Sequence, residues 1–200
     1  EAIFPAQIHD VKGAIRWVRA HADEFGIDPA RIGIWGHSAG GHLAALAGVT
    51  GDLPELEGDV GPAGYSSAVQ AVVAGSPPTN FTGDSRALTG EAYSYVDSLF
   101  GGIAPTKRKL MGLASPACHA DGGDPPTLVV HGDADELVPV SQGDELVAAL
   151  RAAGVPVEYE RMPGADHMLF AGERRYPREH GLERFGALAL GFFRRWLGPR

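Results

Sequence analysis

Five consecutive residues, Gly36-His37-Ser38-Ala39-Gly40, have a spacing that could make a serine hydroxyl reactive. They fit the pattern G-x-S-x-G, in which a serine occupies a sharp, strained turn between a strand and a helix, and glycine at both flanks avoids clashes. Such a turn presents Ser38 Oγ above a sheet and directs the Ala39 backbone N–H at an adjacent oxyanion. The chemistry predicted is nucleophilic attack by a hydroxyl. The simpler alternative is a small residue in a glycine-rich turn.

A serine hydroxyl becomes a nucleophile only when a base removes its proton, and that base needs a carboxylate to orient it. With this type of turn the chain order is serine, then acid, then histidine. Asp133 and Asp135 follow the third predicted strand, and His167 follows the fourth. The pattern therefore predicts His167 as general base and one of the two aspartates as its partner. The structural alternatives are a turn-capping role for Asp135 and a solvated loop position for His167.

Strands that alternate with amphipathic helices must position these side chains. Apolar runs predict strands at 31–35, 69–74 and 127–131, and alternation of apolar with polar residues predicts a half-exposed strand at 155–160. Helical spacing predicts helices at 11–25, 39–49, 141–153 and 182–196. Asp10 is a plausible N-cap of the first helix, and Gly26 lies where its C-terminal cap belongs. This alternation predicts an α/β fold in which a parallel sheet has helices on both faces.

Residues 77–123 do not fit the alternation. The segment is rich in glycine and proline, carries several aromatic residues, and lies between the second and third strands. We interpret it as a small cap-like insertion over the carboxyl ends of the strands, where α/β proteins bind ligands. The length of 200 residues predicts a single domain, 1–200, that contains this insertion.

Composition excludes several classes of function. Seventeen basic against 25 acidic residues give a formal net charge of −8, which argues against a nucleic-acid partner or an acidic membrane surface. The single cysteine, Cys118, rules out an internal disulfide framework and a four-thiolate zinc site. Histidines outside the two candidate loops show no pair spacing, so we expect neither a metal nor another cofactor. No apolar run approaches the ~18 residues of a membrane span.

Taken together, the motifs resemble those of the α/β-hydrolase esterases, in particular the bacterial carboxylesterases that include feruloyl- and acetylxylan-esterase-like members. The resemblance runs from about Phe4 to Trp196. The segments that carry it are 4–11 (FPAQIHDV), 28–32 (DPARI), 35–42 (WGHSAGGH), 114–116 (ASP), 131–139 (HGDADELVP) and 164–167 (GADH).

The resemblance implies a role for each candidate residue. Ser38 would be the nucleophile, Asp135 the orienting acid, His167 the general base and the Ala39 N–H an oxyanion donor. Asp135 fits the family spacing from His131-Gly132, and Asp133 would shape the loop. Substrate contacts are expected from three further residues, namely His37, Val138 and Met168.

The resemblance also implies a reaction. It would be hydrolysis of a small-molecule carboxylic ester, with a short-chain acyl or phenolic (feruloyl- or acetyl-type) group, through an acyl-enzyme. Two alternatives keep the same motifs: an amide-cleaving hydrolase of the prolyl-oligopeptidase or formamidase type, and a truncated, inactive hydrolase domain.

One departure from the family lies ahead of Ser38. Family members have further N-terminal strands and a His-Gly-Gly type loop that supplies a second oxyanion N–H, and neither pattern precedes Ser38 here. We therefore expect the nucleophile strand to form an open sheet edge, covered by an N-terminal segment outside this sequence or by a second copy in a homo-oligomer. The compartment stays open, because an export signal would lie upstream of Glu1.

Overall fold

A four-stranded parallel sheet positions the candidate residues. The computed structural model describes residues 2–51, 53–82, 90–103, 105–170 and 179–199. The strands lie side by side in chain order, and every neighbouring pair is parallel. They are β1 (Gly33–His37), β2 (Ala71–Gly75), β3 (Thr127–Gly132) and β4 (Val157–Met162). The predicted α/β class with a parallel sheet is confirmed.

Seven helices accompany these strands in the described ranges: α1 (Ala6–Ala20), α2 (Ala22–Phe25), α3 (Ala39–Val49), α4 (Gly90–Phe100), α5 (Arg108–Leu113), α6 (Ser141–Ala152) and α7 (Glu179–Leu197). The same ranges contain 3-10 turns at Pro54–Leu56, Pro105–Lys107 and Pro116–Cys118. Each crossover between parallel strands contains at least one helix, as parallel pairing requires.

Strand β2 shows how both faces of the sheet are buried. Val72 and Ala74 pack in hydrophobic clusters with helices α3 and α6, whereas Ala71 and Val73 pack with α7. Successive side chains of a strand point to opposite faces, so a strand covered on both sides must be apolar at every position. The alternation therefore assigns α3 and α6 to one layer and α7 to the other.

The predicted bounds of the first helix are wrong. Helix α1 begins at Ala6, so Asp10 lies inside it rather than at its N-cap. The helix starts earlier because Ile8 is fully buried in the same cluster as Phe4, and this packing stabilises an additional turn. Gly26 does cap the helical stretch, with φ +65°, but it ends the short α2 that follows a break at His21.

Three strands begin two residues later than their sequence patterns predict, because the sheet pairing starts there. The β1–β2 register opens at Gly33 opposite Ala71. Just ahead of it, the Ile32 N–H donates to the side-chain oxygen of Gln70 rather than to a neighbouring strand. Apolar residues at a strand entrance are thus buried without belonging to the ladder.

The segment 77–123 contributes to the hydrophobic core. Its residues 83–89 and 104 lie outside the described ranges. In the described part, Phe81 and Phe100 are fully buried and meet edge to face, with ring centroids 5.6 Å apart. Both belong to the cluster formed with α1 and α3. That this segment acts as a cap within one domain stays a prediction.

Candidate active site

Ser38 occupies a strained turn directly after β1 and before α3. Its φ of +56° lies in the left-handed region that non-glycine residues rarely adopt. The turn is held on β2, because the Ser38 N–H donates to the Gly75 carbonyl over 2.8 Å. A Cβ at Gly36 would lie 2.2 Å from the Gly40 carbonyl oxygen, so the chain can close this tightly only with glycine there.

Ala39 is the first residue of α3, and its N–H is one of the unpaired donors of a helix N-terminus. The first helical hydrogen bond runs from the His42 N–H to the Ser38 carbonyl over 2.9 Å. Within the described ranges no acceptor is recorded for the Ala39 N–H. A donor in this place can stabilise negative charge on an oxygen bound next to Ser38 Oγ.

His167 reaches Ser38 from the loop after β4. Its Nε2 lies 2.8 Å from Ser38 Oγ, although the two residues are 129 positions apart in the chain. The backbone of His167 is itself held, since its carbonyl accepts hydrogen bonds from His37 Nε2 at 2.7 Å and from Ser76 Oγ at 3.2 Å. The loop therefore presents the imidazole in a fixed place.

Asp135 completes the chain of hydrogen bonds. Its Oδ2 lies 2.8 Å from His167 Nδ1, and its Oδ1 accepts the N–H groups of Leu137 and Val138 at 3.0 and 2.8 Å. Burial by itself would raise the pKa of the Asp135 carboxyl, but the hydrogen bonds from His131, His167 and Val138 outweigh it and hold the pKa well below its usual range. Asp135 is therefore ionised, which fixes the His167 proton on Nδ1 and leaves Nε2 free to accept from Ser38.

Asp133, the alternative acid, points elsewhere. Its Oδ1 accepts the Gly164 N–H at 2.6 Å, which joins the loop after β3 to the loop after β4. The structure thus brings Ser38, His167 and Asp135 together and places Asp133 in a loop-stabilising position.

A pocket of about 440 Å³ opens beside Ser38. Most of the side chains that line it are apolar, and α4 and the 77–82 stretch supply several of them. The lining residues are Gln7, Ser38, Ala39, His42, Leu43, Pro78, Phe81, Ala92, Tyr95, Val96, Leu99, Leu137 and Val138. A concave, largely apolar site with a few convergent polar groups is typical of small-molecule binding.

With the geometry described, comparison with known proteins identifies the family. A family profile described as BD-FAE matches residues 1–150. The chain belongs to the BD-FAE family. Its sheet, with flanking helices, is that of α/β-hydrolase esterases.

Three similar proteins are informative about this BD-FAE member. Esterase LipC of Mycobacterium tuberculosis is 36% identical over 189 residues, which cover 91% of this chain and 46% of LipC. A truncated carbohydrate esterase from gut microbiota is 33% identical with a TM-score of 0.82, over 99% of this chain and 70% of that one. Esterase Est2 of Thermogutta terrifontis is 29% identical with a TM-score of 0.76, over 100% of this chain and 68% of that one. The chain thus spans about half the length of LipC.

The three residues expected to contact substrate are distributed unequally. Val138 lines the pocket, whereas His37 and Met168 are not among its lining residues. His37 instead contacts His167, with ring centroids 5.1 Å apart, and burial lowers the pKa of its imidazole. Met168 is exposed on the loop beside His167. Substrate contact by these residues stays a prediction.

Two residues of this site escaped the sequence analysis as functional candidates. Ser76 follows β2 directly, has φ +42° and is fully buried under the His167 loop. His131, near the end of β3, lies against Asp135. Ser76 belongs to no motif, so its position at a strand end was the only signal for it. His131 carried a further signal, because it begins the His131-Gly132 spacing used to choose Asp135.

Among the described residues of this BD-FAE member, no group of three or more His, Cys, Asp and Glu side chains could hold a metal ion. The same ranges contain no helix with the length and hydropathy of a transmembrane segment. Cys118 is an exposed free thiol.

Proposed function

We propose that this chain carries the catalytic residues of a serine carboxylesterase, which hydrolyses small carboxylic esters through an acyl-enzyme. The observation that supports this most is the continuous hydrogen-bonded series from Ser38 Oγ through His167 to Asp135. The strained turn exposes Ser38 Oγ, and the Ala39 N–H offers one donor to the oxyanion that forms in acyl transfer.

In the proposed reaction Ser38 Oγ attacks the ester carbonyl carbon while its proton moves to His167 Nε2. The Ala39 N–H donates to the negative carbonyl oxygen. The bond to the alcohol oxygen then breaks, and His167 returns the proton to that oxygen. Water next attacks the acyl-serine carbonyl, gives its proton to His167, and releases the acid as the proton returns to Ser38 Oγ. Asp135 stabilises the imidazolium that forms in each half-reaction.

We propose short-chain acyl or phenolic, feruloyl- or acetyl-type, esters as substrates. The pocket beside Ser38 has the size and the apolar lining for a short acyl chain or a single aromatic ring. Relatives support this choice: Thermogutta terrifontis Est2 has been described with propionate and with butyrate bound, and the gut protein is a carbohydrate esterase.

Labelling with a fluorophosphonate, followed by intact mass, tests the nucleophile without knowledge of the substrate. We expect one adduct per chain in the wild type and none in Ser38→Ala. Ser141→Ala, which removes an exposed hydroxyl at the start of α6, is the matched control and should be labelled like the wild type. Thermogutta terrifontis esterase 2 has been described as phosphonylated by sarin, which supports this choice of reagent. Equal labelling of wild type and Ser38→Ala would refute the assignment.

A paired substrate assay separates the ester proposal from amide cleavage. The wild type is given p-nitrophenyl acetate and p-nitroacetanilide, and kcat/KM is measured for each. We expect the ester to be cleaved at least ~100-fold faster, a difference of about 3 kcal/mol in activation free energy. Faster cleavage of the anilide would favour an amide hydrolase instead.

A further inference from the structure

The carboxylate of Asp135 has a second imidazole beside it. Oδ2 faces His167 Nδ1 at 2.8 Å and His131 Nε2 at 3.3 Å. His131 belongs to β3 and has no exposed surface. In the proposed mechanism His131 transfers no proton, so its contact with Asp135 calls for a different explanation.

The neighbours of His131 determine where its proton lies. Nε2 is 2.9 Å from the Val138 carbonyl oxygen, which can only accept. Nε2 must therefore carry the hydrogen, and that one N–H is shared between Val138 and Asp135 Oδ2. On the other side of the ring, Nδ1 is buried and has no hydrogen-bond partner within the described ranges.

Close packing keeps the ring of His131 in this place. Gly143, in the first turn of α6, lies so near that a Cβ there would be 2.7 Å from His131 Nδ1. The ring cannot move away from Asp135 in that direction without displacing the α6 backbone. The unpartnered nitrogen is thus the cost of holding the opposite N–H against the carboxylate.

His131 contacts both ends of the turn 135–138, through Asp135 Oδ2 and through the Val138 carbonyl oxygen. The Val138 N–H donates to Asp135 Oδ1, and the Val138 carbonyl accepts from His131. We propose that His131 is a positioning residue of the active site, which clamps the 135–138 turn to strand β3 so that Asp135 Oδ2 faces His167. This inference deepens the proposed function and rests on it.

Two variants of His131 separate the N–H from the bulk of the ring. His131→Met fills the space without a donor, and His131→Gln restores an N–H near the position of Nε2. We expect His131→Met to lower kcat for p-nitrophenyl acetate roughly 10- to 100-fold, with KM within about twofold, because the loss affects the transition state. The rate of fluorophosphonate labelling should fall in parallel. His131→Gln should retain activity within about threefold.

A double-mutant cycle with Asp135→Asn shows whether His131 acts through Asp135. We expect His131→Met to cause less than a ~3-fold further loss in the Asp135→Asn background. An equal loss in both backgrounds, full activity of His131→Met, or failure of the Gln variant to rescue would each overturn the positioning role. Those results leave the proposed function intact, whereas a wild type that is neither labelled nor active overturns both.

A measurement on the wild type covers the case in which His131→Met does not fold. In protein labelled with ¹⁵N-histidine, NMR should find the His131 proton on Nε2, and phosphonylation of Ser38 should shift that signal, because the change is transmitted through His167 and Asp135. A proton on Nδ1, or a signal that phosphonylation leaves unchanged, would contradict the proposal.

Discussion

The two glycines that flank the nucleophile meet different surroundings. A Cβ at Gly36 would collide with the Gly40 backbone, whereas a Cβ at Gly40 would have nothing within 4 Å in the described structure. The expectation that glycine avoids clashes at both flanks therefore holds at Gly36, and at Gly40 it is wrong for the part of the chain that the structure describes.

Alanine substitutions test this asymmetry. We expect Gly36→Ala to lower the free energy of unfolding by about 2–4 kcal/mol, because the clash is with backbone and cannot be relieved by a rotamer change. Gly40→Ala lies in the first turn of α3 and should leave stability unchanged or raise it by up to ~1 kcal/mol. Urea denaturation followed by circular dichroism gives both values. Equal destabilisation by the two variants would show that the described contacts do not explain the requirement for Gly36.

At the scale of residues, the sequence indicated more about chemistry than about supporting contacts. Chain order and the G-x-S-x-G spacing singled out Ser38 and His167, and the structure brings their side chains within hydrogen-bond distance. The preference for Asp135 came from a family resemblance rather than from a physical argument. The supporting contacts of Ser76 and His131 depend on strand register and loop closure, which no local pattern encodes.

Helix α3 packs directly against strand β2. A Cβ at Gly41 would be 2.5 Å from the Gly75 carbonyl oxygen, so the helix backbone contacts the strand directly. On its other side, His42 is buried against the 77–123 segment. Its Nε2–H donates to the Ala114 carbonyl at 2.7 Å, and its ring meets Phe81 edge to face. Burial lowers the pKa of His42 to about 4, although the hydrogen bond to Ala114 acts in the opposite direction.

This lowered pKa predicts how stability depends on pH. Below the ordinary histidine pKa of about 6.5 the unfolded chain binds a proton at His42 that the folded chain does not bind until about pH 4. The contribution of His42 to the free energy of unfolding is fully present above pH 6.5. It is lost as pH falls toward 4, by about 1 kcal/mol per pH unit. Urea denaturation between pH 7 and 4 measures the slope, and His42→Gln should reduce it. An unchanged slope in His42→Gln would exclude His42 as its source.

At the scale of elements, the sequence predicted the fold class and the order of helices and strands better than the bounds of each element. Strand–helix alternation allows few parallel topologies, so the class and the sequence of elements followed from it. The packing of 77–123 did not follow from the alternation, because the glycine- and proline-rich sequence leaves the direction of the Phe81 and Phe100 side chains undetermined. Only the tertiary cluster with α1 and α3 decides it.

At the scale of the whole molecule, strand β1 forms one edge of the described sheet. Within the described ranges β1 pairs only with β2. The Trp35 side chain of β1 is 54% exposed and stacks on Phe185 of α7. An apolar edge strand with free N–H and C=O groups is a template for pairing with another chain.

We predict that this 200-residue chain associates with itself through the β1 edge. Light scattering coupled to size exclusion should give a mass above 21.0 kDa that rises with concentration. Trp35→Lys places a charge on the edge and should shift the population toward the monomer. A wild type that stays monomeric at all concentrations would contradict the prediction.

The three side chains of the relay follow three different strands: Ser38 comes after β1, Asp135 after β3 and His167 after β4. During translation His167 is the last of the three residues to be synthesised, 129 residues after Ser38. A nascent chain therefore lacks the proposed general base until β4 and the loop that follows it have left the ribosome. The rate of reaction with a phosphonate would thus report when this loop has docked beside Ser38.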